Sequence, residues 1–266
     1  MKDTRHYIIC RFALDVGAGI DWTDADTFRR HLEIARQAII PTLANQTDRT
    51  FTLLFLTHHD SEVNTALLKG LTDRFPIEVA NPRQGDLLTP ERLGGAERVI
   101  TSRLDYDDYV DRQVVARIHN ACRDDLKVLL YGLNTGATYD LADGALRLFA
   151  NPAFITSGNG LHAPMCTVMY NTHYVRRPFT ILDLGQHTEC VASLLRQEGS
   201  LLRWSVRDTK FRLTDCHHTL GFLWTRHPLS FSVGSVRHNT DIDIRMSAAA
   251  LQAKFGVPPD IAVQKI

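Results

Sequence analysis

The run Phe51-Thr-Leu-Leu-Phe-Leu56 is apolar at five of its six positions. A strand with one wet face alternates apolar and polar residues, so an unbroken run of this length predicts a strand buried on both faces, as in a parallel sheet covered by helices. The surrounding chain fits that reading. His6 to Leu14 predicts a first strand, and Thr23 or Asp24 caps a helix whose apolar face is Phe28, Leu32, Ala35 and Ile39, ending near Pro41. A second helix is expected from Glu62 to Leu71 and a short strand from Ile77 to Ala80. The polar stretch from Asn81 to Gly95 then leads into a further strand, Val99 to Leu104. Strands and helices in this order predict an α/β fold with a doubly wound, mostly parallel sheet, whose ligand crevice lies beyond the carboxyl ends of the strands.

The second half is less regular. Val128–Tyr131, Ala145–Phe149, Met165–Tyr170 and Leu201–Val206 read as strands, separated by loops such as Thr156-Ser-Gly-Asn-Gly-Leu161. Helices are expected from Thr188 to Gln197 and from Ser247 to Phe255, the latter stopped by Gly256 and two prolines. No internal repeat or low-complexity linker divides the 266 residues. A single domain is therefore expected over 1–266.

The fourth strand's end sets the chemistry. In Val99-Ile-Thr-Ser-Arg-Leu-Asp105-Tyr-Asp107-Asp108-Tyr-Val110, an apolar run stops in three carboxylates. Negative charge gathered at the mouth of a buried strand calls for a counter-ion. On a strand, Asp105 and Asp107 would project to one side. Carboxylate oxygens suit hard cations, and Mg²⁺ in particular is commonly shared between one or two carboxylates and substrate phosphates. A divalent metal with a phosphate-bearing substrate is the first reading. The plainer one is an acidic cap, with Asp107 or Asp108 opening the helix suggested by Val114, Val115, Ile118 and Cys122.

Thirty basic residues offset thirty acidic ones, and no basic run is interleaved with aromatics, which argues against a nucleic-acid partner. Five scattered cysteines lack metal or disulfide spacing, the amino terminus lacks the apolar core of a secretory signal, and no run is long enough to span a membrane. A cytoplasmic protein is expected, with membrane contact at most peripheral.

Asp-x-Asp at the end of a central strand resembles the GT-A glycosyltransferases. The longer Thr101-x-Arg103-x-Asp105-x-Asp107-Asp108 is similar to the rhamnosyl transferase family of bacteria. Arg11-Phe12 in the opening strand, Trp22 before the first helix, Pro41-Thr-Leu-Ala-Asn-Gln46 after it and the strand Phe51–Phe55 agree with that family in order. The likeness covers residues 1–130 well and the remainder loosely. It implies a GT-A-like, Rossmann-like fold, with a nucleotide-sugar-binding half over 1–130 and an acceptor-side half over 131–266. It also implies transfer of a sugar, rhamnose by the family's name, from a nucleotide-diphosphate donor to a glycan or lipid-linked acceptor. Mn²⁺ or Mg²⁺ would be held by Asp107, with Asp105 sharing the metal or meeting the ribose and Asp108 orienting its neighbours. Arg11 and Arg103 are candidates for donor binding, since guanidinium groups near a strand terminus suit phosphate.

The resemblance places the rest of the machinery in the second half. Thr188-Glu189-Cys190-x-x-Ser193-x-x-Arg196 is loosely similar to the Glu-Asp-x-x-Leu-x-x-Arg segment that carries the base in many GT-A enzymes, with Cys190 where the aspartate would stand. Glu189 is the candidate base and Asp183 its nearest rival. Trp224-Thr-Arg226-His227 supplies His227 as candidate third metal ligand and Arg226 as a diphosphate contact; His173, His187 and His217-His218 are alternatives. Asp241-Ile-Asp243 follows a polar stretch and is read as a solvated segment. Two other classes carry comparable acidic motifs. One is a magnesium-dependent haloacid-dehalogenase-like phosphohydrolase, whose motif normally ends the first strand. The other is a non-catalytic sugar- or metal-binding module.

Overall fold

The computed structural model describes residues 3–15, 19–122, 126–133, 135–140, 144–149, 164–185, 189–203, 209–214, 220–226 and 239–259. The first strand, β1, runs Thr4–Ala13 and is followed by helices α1 (Ala25–Gln37) and α2 (Ile39–Ala44). Asp24 is the helix cap, its carboxylate accepting from the Thr27 N–H. The helical path does not end near Pro41 as expected. It continues in α2, where Pro41 is the third residue and lacks only an N–H that a first turn leaves without an intrahelical acceptor.

Next come β2 (Thr52–Thr57), α3 (Glu62–Lys69), β3 (Ile77–Ala80), the single turn α4 (Pro90–Leu93) and β4 (Arg98–Arg103). Then follow β5 (Tyr109–Val110), α5 (Val114–Ala121), β6 (Val128–Leu133), β7 (Gly136–Asp140), β8 (Leu146–Phe149) and β9 (Cys166–Asn171). A 3₁₀ turn at Ile181–Leu184 precedes α6 (Cys190–Arg196) and α7 (Glu198–Leu201). The remaining elements are β10 (Thr209–Thr214), β11 (Phe222–Arg226), β12 (Asn239–Asp243) and α8 (Ala248–Phe255).

Seven strands form one sheet in the order β10-β6-β9-β4-β1-β2-β3, in which β9 alone runs against the others. This is the expected α/β class: a mixed, mostly parallel central sheet flanked by helices, Rossmann-like and GT-A-like in its strand order. From β1 the chain moves out to β2 and β3, then returns to lay β4 on the opposite side of β1. The carboxyl ends of β1 and β4 therefore bracket the point where the winding reverses, and a crevice opens there in such sheets. Both faces are dry. Ile8, Cys10, Phe12, Leu53 and Phe55 pack on one side, and Tyr7, Ile9, Leu54, Leu56 and Val99 on the other.

A second sheet, in the order β12-β8-β7-β11-β5, takes in the two residues of β5 that follow the acidic segment. Its fit around β7 requires glycine at position 136, because a Cβ there would lie 2.3 Å from the Phe222 ring. Asp241-Ile-Asp243 lies in the backbone of β12, the edge strand of this sheet. One expectation is corrected here. Leu201–Val206 does not begin as a strand: Leu201 closes α7 and Leu202 makes an isolated bridge to Val175, while 204–208 lie outside the described residues.

Candidate active site

The acidic segment sits at the switch point, though not on the strand. β4 ends at Arg103, and Asp105–Asp108 form a turn closed by the Asp108 N–H donating to the Asp105 carbonyl at 3.3 Å. The two-residue alternation that would place Asp105 and Asp107 side by side therefore does not apply. Asp105 is instead gripped by two guanidinium groups. Arg103 donates to its Oδ2 at 3.0 Å and Oδ1 at 3.4 Å, and Arg11, across the switch point on β1, donates to Oδ1 at 3.4 Å. Burial raises the Asp105 pKa, but Arg103 and Arg11 together bring it below the usual carboxylate value.

Side chains from distant parts of the sequence hold this turn. From below, Tyr106 lies edge-on to Phe12, and its hydroxyl is 2.7 Å from Nδ1 of buried His31, which packs on Trp22. On the exit side, Thr42 Oγ1 both donates to the Val110 carbonyl and accepts from the Val110 N–H, each at 2.9 Å. Gln46 donates to the Asp111 carbonyl at 3.0 Å and accepts from the Val115 N–H at 3.2 Å. Trp22 and the Pro41–Gln46 segment thus brace the acidic turn. From the second half, Thr225 on β11 donates through its hydroxyl to the Asp107 carbonyl and through its N–H to Asp108 Oδ1 at 3.4 Å.

Asp107 and Asp108 are both buried. Burial, followed by the charges of Asp107 and Asp105, pushes the Asp108 carboxyl well above its ordinary value, against the Thr225 N–H and Arg103. The cluster is short of positive charge, and its oxygen donors are of the kind a hard divalent cation takes. Among the described residues, no group of three or more His, Cys, Asp or Glu stands together as a complete ligand set. A cation at Asp107 and Asp108 would thus be completed by substrate oxygens or by groups outside those residues. The donor chemistry fits on that condition, with Asp105 committed to the two arginines.

The other candidates are placed as follows. Asp183 closes a capping box, its Oδ2 accepting from the Thr180 N–H at 2.7 Å and the Thr180 hydroxyl at 2.9 Å. Glu189 is exposed at the start of α6, 3.6 Å from Arg196. Next to it, Cys190 Sγ is 3.7 Å from Cys166 Sγ, and Cys166 is the strand partner of Arg103. The start of α6 therefore stands beside the β4–β9 pair that carries Arg103. Arg226 ends β11 next to Thr225, its backbone paired with Asp140. His227, His187, His217 and His218 lie outside the described residues. His173 is in a 3₁₀ turn after β9, its N–H donating to Asn171.

Sequence reasoning missed two features. Beyond β1, Asp15 accepts from His59 Nε2 at 2.9 Å and from Arg83 at 3.0 Å, and its own N–H donates to His58 Nδ1 at 3.0 Å. This ties together the chain leaving β1, β2 and β3. Near it, a cavity of about 370 Å³ is walled by Leu14, Leu56, Leu88 and Phe179, with Arg177 and Asp183 also lining it. Leu14, Leu56 and Leu88 belong to the same core face as Ile9 and Val99, the face towards which Arg11 and Arg103 alternate.

No known family's sequence profile matches the chain, and no curated protein matches it. Among solved structures, Staphylococcus aureus TarS 1-349 in complex with UDP-GlcNAc is similar at 11% identity and a TM-score of 0.39, over 84% of this chain and 59% of that one. The same protein in complex with UDP is similar at 13% identity and a TM-score of 0.41, over 86% and 61%. HddC from Yersinia pseudotuberculosis is similar at 11% identity and a TM-score of 0.34, over 79% and 90%. The chain spans about three fifths of the TarS chains. The fold class above rests on strand order and register. Among the described residues, no helix is long and apolar enough to cross a membrane.

Proposed function

We propose that this chain is a metal-dependent glycosyltransferase acting on a nucleoside-diphosphate sugar. The observation that carries the reading is the pairing of Asp105 with Arg11 and Arg103 across the sheet's switch point, with Asp107 and Asp108 in the same turn. Two guanidinium groups and a carboxylate-bound cation are the means by which proteins hold a diphosphate. In this reading Asp105 orients the two arginines, and Arg11, the more exposed of them, meets the donor phosphates. Asp107 and Asp108 would hold Mn²⁺ or Mg²⁺, with His227 a candidate further ligand and Arg226 a candidate diphosphate contact. The bound cation supplies stabilisation of the charge that grows on the departing diphosphate.

The cavity beside Leu14 and Phe179 has the size for the nucleoside end of a donor, and its wall mixes apolar side chains with Arg177 and Asp183. Glu189 is the candidate base, taking the acceptor's hydroxyl proton as its oxygen bonds to the anomeric carbon and the bond to diphosphate breaks. Its exposure suits an acceptor arriving from solvent, a glycan or a lipid-linked saccharide; Asp183, already bonded within its cap, is the weaker choice. Rhamnose is the sugar to which the sequence resemblance points.

The test is a thermal-shift screen of dTDP, UDP and GDP with and without Mn²⁺, repeated on Asp107→Ala. Stabilisation by one nucleotide that needs Mn²⁺ and is lost in the variant supports the reading. Stabilisation that is equal in both proteins, or the absence of any nucleotide effect, refutes it. Position separates this reading from the phosphohydrolase. The acidic turn follows the fourth strand, whereas Asp15 beyond β1 is bound to His59 and Arg83.

A further inference from the structure

Behind the arginine that grips Asp105, two thiols meet. Cys166 on β9 is the strand partner of Arg103, and Cys190, 24 positions further along, is the first residue of α6. Both are reduced, with their sulfurs 3.7 Å apart. A disulfide holds its sulfurs at about 2.05 Å, so less than about 2 Å separates this contact from a bond. Both residues belong to the core face that includes Val168, Leu184 and Leu194. Cys190 is 1% exposed, which leaves it open only to a small reagent.

The chain between the two cysteines already folds back on the sheet without a covalent bond. Phe179 stacks on Tyr170 at 4.6 Å between centroids, and its N–H donates to the Tyr170 hydroxyl at 3.0 Å. The Ile181 N–H donates to Thr101 Oγ1 on β4 at 2.8 Å, and Gln197 donates to the Asp183 carbonyl at 3.1 Å. These contacts set the two sulfurs side by side, so joining them asks little of the backbone. The two thiols differ in readiness to react. The hydrogen bond from Cys166 brings the Cys190 pKa below its ordinary value, with burial opposing and the Arg103 charge assisting, whereas burial holds Cys166 well above it. Burial likewise raises Cys10 and pushes the Cys122 thiol up to about 12.

We propose that Cys166 and Cys190 are a peroxide-reactive pair whose disulfide reversibly staples the start of α6, and the cavity wall that carries Phe179 and Asp183, to β9. The Cys190 thiolate attacks one oxygen of hydrogen peroxide; the O–O bond breaks, leaving a sulfenic acid on Cys190 and a hydroxide that takes up the proton Cys190 gave. The Cys166 sulfur then attacks the Cys190 sulfur and the S–O bond breaks, the Cys166 proton leaving with the hydroxyl as water. In sum two thiols and one peroxide give one disulfide and two waters. A dithiol reductant reverses it by exchange, supplying two hydrogens and leaving as its own disulfide. The loop so closed holds Arg177, Phe179, Thr180 and Asp183, all of which line the cavity of about 370 Å³, and it ends one residue past Glu189. Neither the bond nor the staple depends on the function proposed above.

The test treats the full chain with hydrogen peroxide, then alkylates it in denaturant and digests it for mass spectrometry. A linked peptide pair holding Cys166 and Cys190, lighter by two hydrogens and separated by dithiothreitol, is expected, with Cys10 and Cys122 still alkylated. The oxidised protein should melt at least about 4 °C above the reduced one, because a closed loop of this length restricts the unfolded chain. Its Asp183 and Gly185 amides, which donate to the Thr180 and Leu182 carbonyls, should gain at least about fivefold protection from hydrogen exchange. Cys190→Ser should show neither gain with peroxide, and Cys166→Ala serves the same purpose if the first variant does not fold. Alkylation of both Cys166 and Cys190 after treatment, or conversion of Cys190 to the sulfinic acid in place of the link, overturns the reactive pair. A link that leaves melting and exchange unchanged, or a melting gain that persists in the variant, overturns the staple.

Discussion

Thr225 donates its hydroxyl hydrogen to the main-chain carbonyl of Asp107, joining the acidic turn to a strand 118 positions further along the chain. Both residues are buried, so the carbonyl has no ready substitute donor. Thr225→Val keeps the shape and removes the hydrogen. It should destabilise the fold by roughly 1–3 kcal/mol in urea denaturation, the penalty for stranding a buried acceptor. Thr225→Ser should recover most of that. The Val variant should also weaken Mn²⁺-dependent nucleotide binding, because the turn that carries Asp107 loses its tether.

Asp108 gives a prediction with a sign. Burial and the neighbouring aspartates raise its folded-state pKa well above the unfolded value. Between those two values the folded protein holds the proton and the unfolded chain does not. Asp108 therefore opposes folding increasingly as pH rises from about 4 through the folded pKa. In EDTA at pH 7, Asp108→Asn should raise the denaturation midpoint, and the gain should shrink towards pH 4. With Mn²⁺ and nucleotide the order should invert, the wild type being stabilised and the variant not.

Legibility in the sequence followed how locally each feature is encoded. The strands of the parallel half announced themselves because burial on both faces demands unbroken apolar runs, as in Leu53–Leu56. The acidic turn was visible because three carboxylates have no place in a core. Trp22, Thr42 and Gln46 were visible as landmarks, but their task was not: Thr42 meets Val110 across 68 positions, and no periodicity records such a bond. The same applies to Thr225, which meets Asp107 across 118 positions. The strand was read one residue long, Leu104 still donating its N–H to the Ile9 carbonyl at 3.1 Å, but no apolar pattern records that the chain turns at Asp105–Asp108. That Asp241–Asp243 lie in a strand was not legible, because the polar run before them carries no strand periodicity.

Arg11 and Arg103 share one partner and should respond differently to removal. The Arg103 side chain is 10% exposed and that of Arg11 36%. Arg103→Ala leaves a half-buried carboxylate with one distant guanidinium, and should cost several kcal/mol in chemical denaturation, towards the 3–5 kcal/mol typical of a broken buried pair. Arg11→Ala breaks a more solvated contact, worth about 0–1 kcal/mol. If Arg11 meets the donor phosphates, the ranking reverses for function. Arg11→Ala should stay folded, with an unchanged midpoint, and still lose at least tenfold in nucleotide affinity by calorimetry, or about 1.4 kcal/mol. A variant that binds nucleotide as the wild type does would leave Arg11 a surface ion pair and nothing more.

Tyr106, the residue between the two aspartates, separates support of the turn from chemistry. Its hydroxyl is 2.7 Å from His31 Nδ1, and both groups are buried. The ring packs edge-on against Phe12 at 5.4 Å between centroids. Tyr106→Phe preserves the ring packing and strands one imidazole nitrogen, so it should cost about 1–2 kcal/mol. Tyr106→Ala also empties the space between Phe12 and His31, and the expected loss rises to roughly 3–5 kcal/mol. Because the hydroxyl is turned into the core, Tyr106→Phe should bind nucleotide and Mn²⁺ within about twofold of wild type at temperatures where both are folded. A larger loss in the Phe variant at unchanged stability would mean that the hydroxyl reaches the ligand, which its contact with His31 excludes.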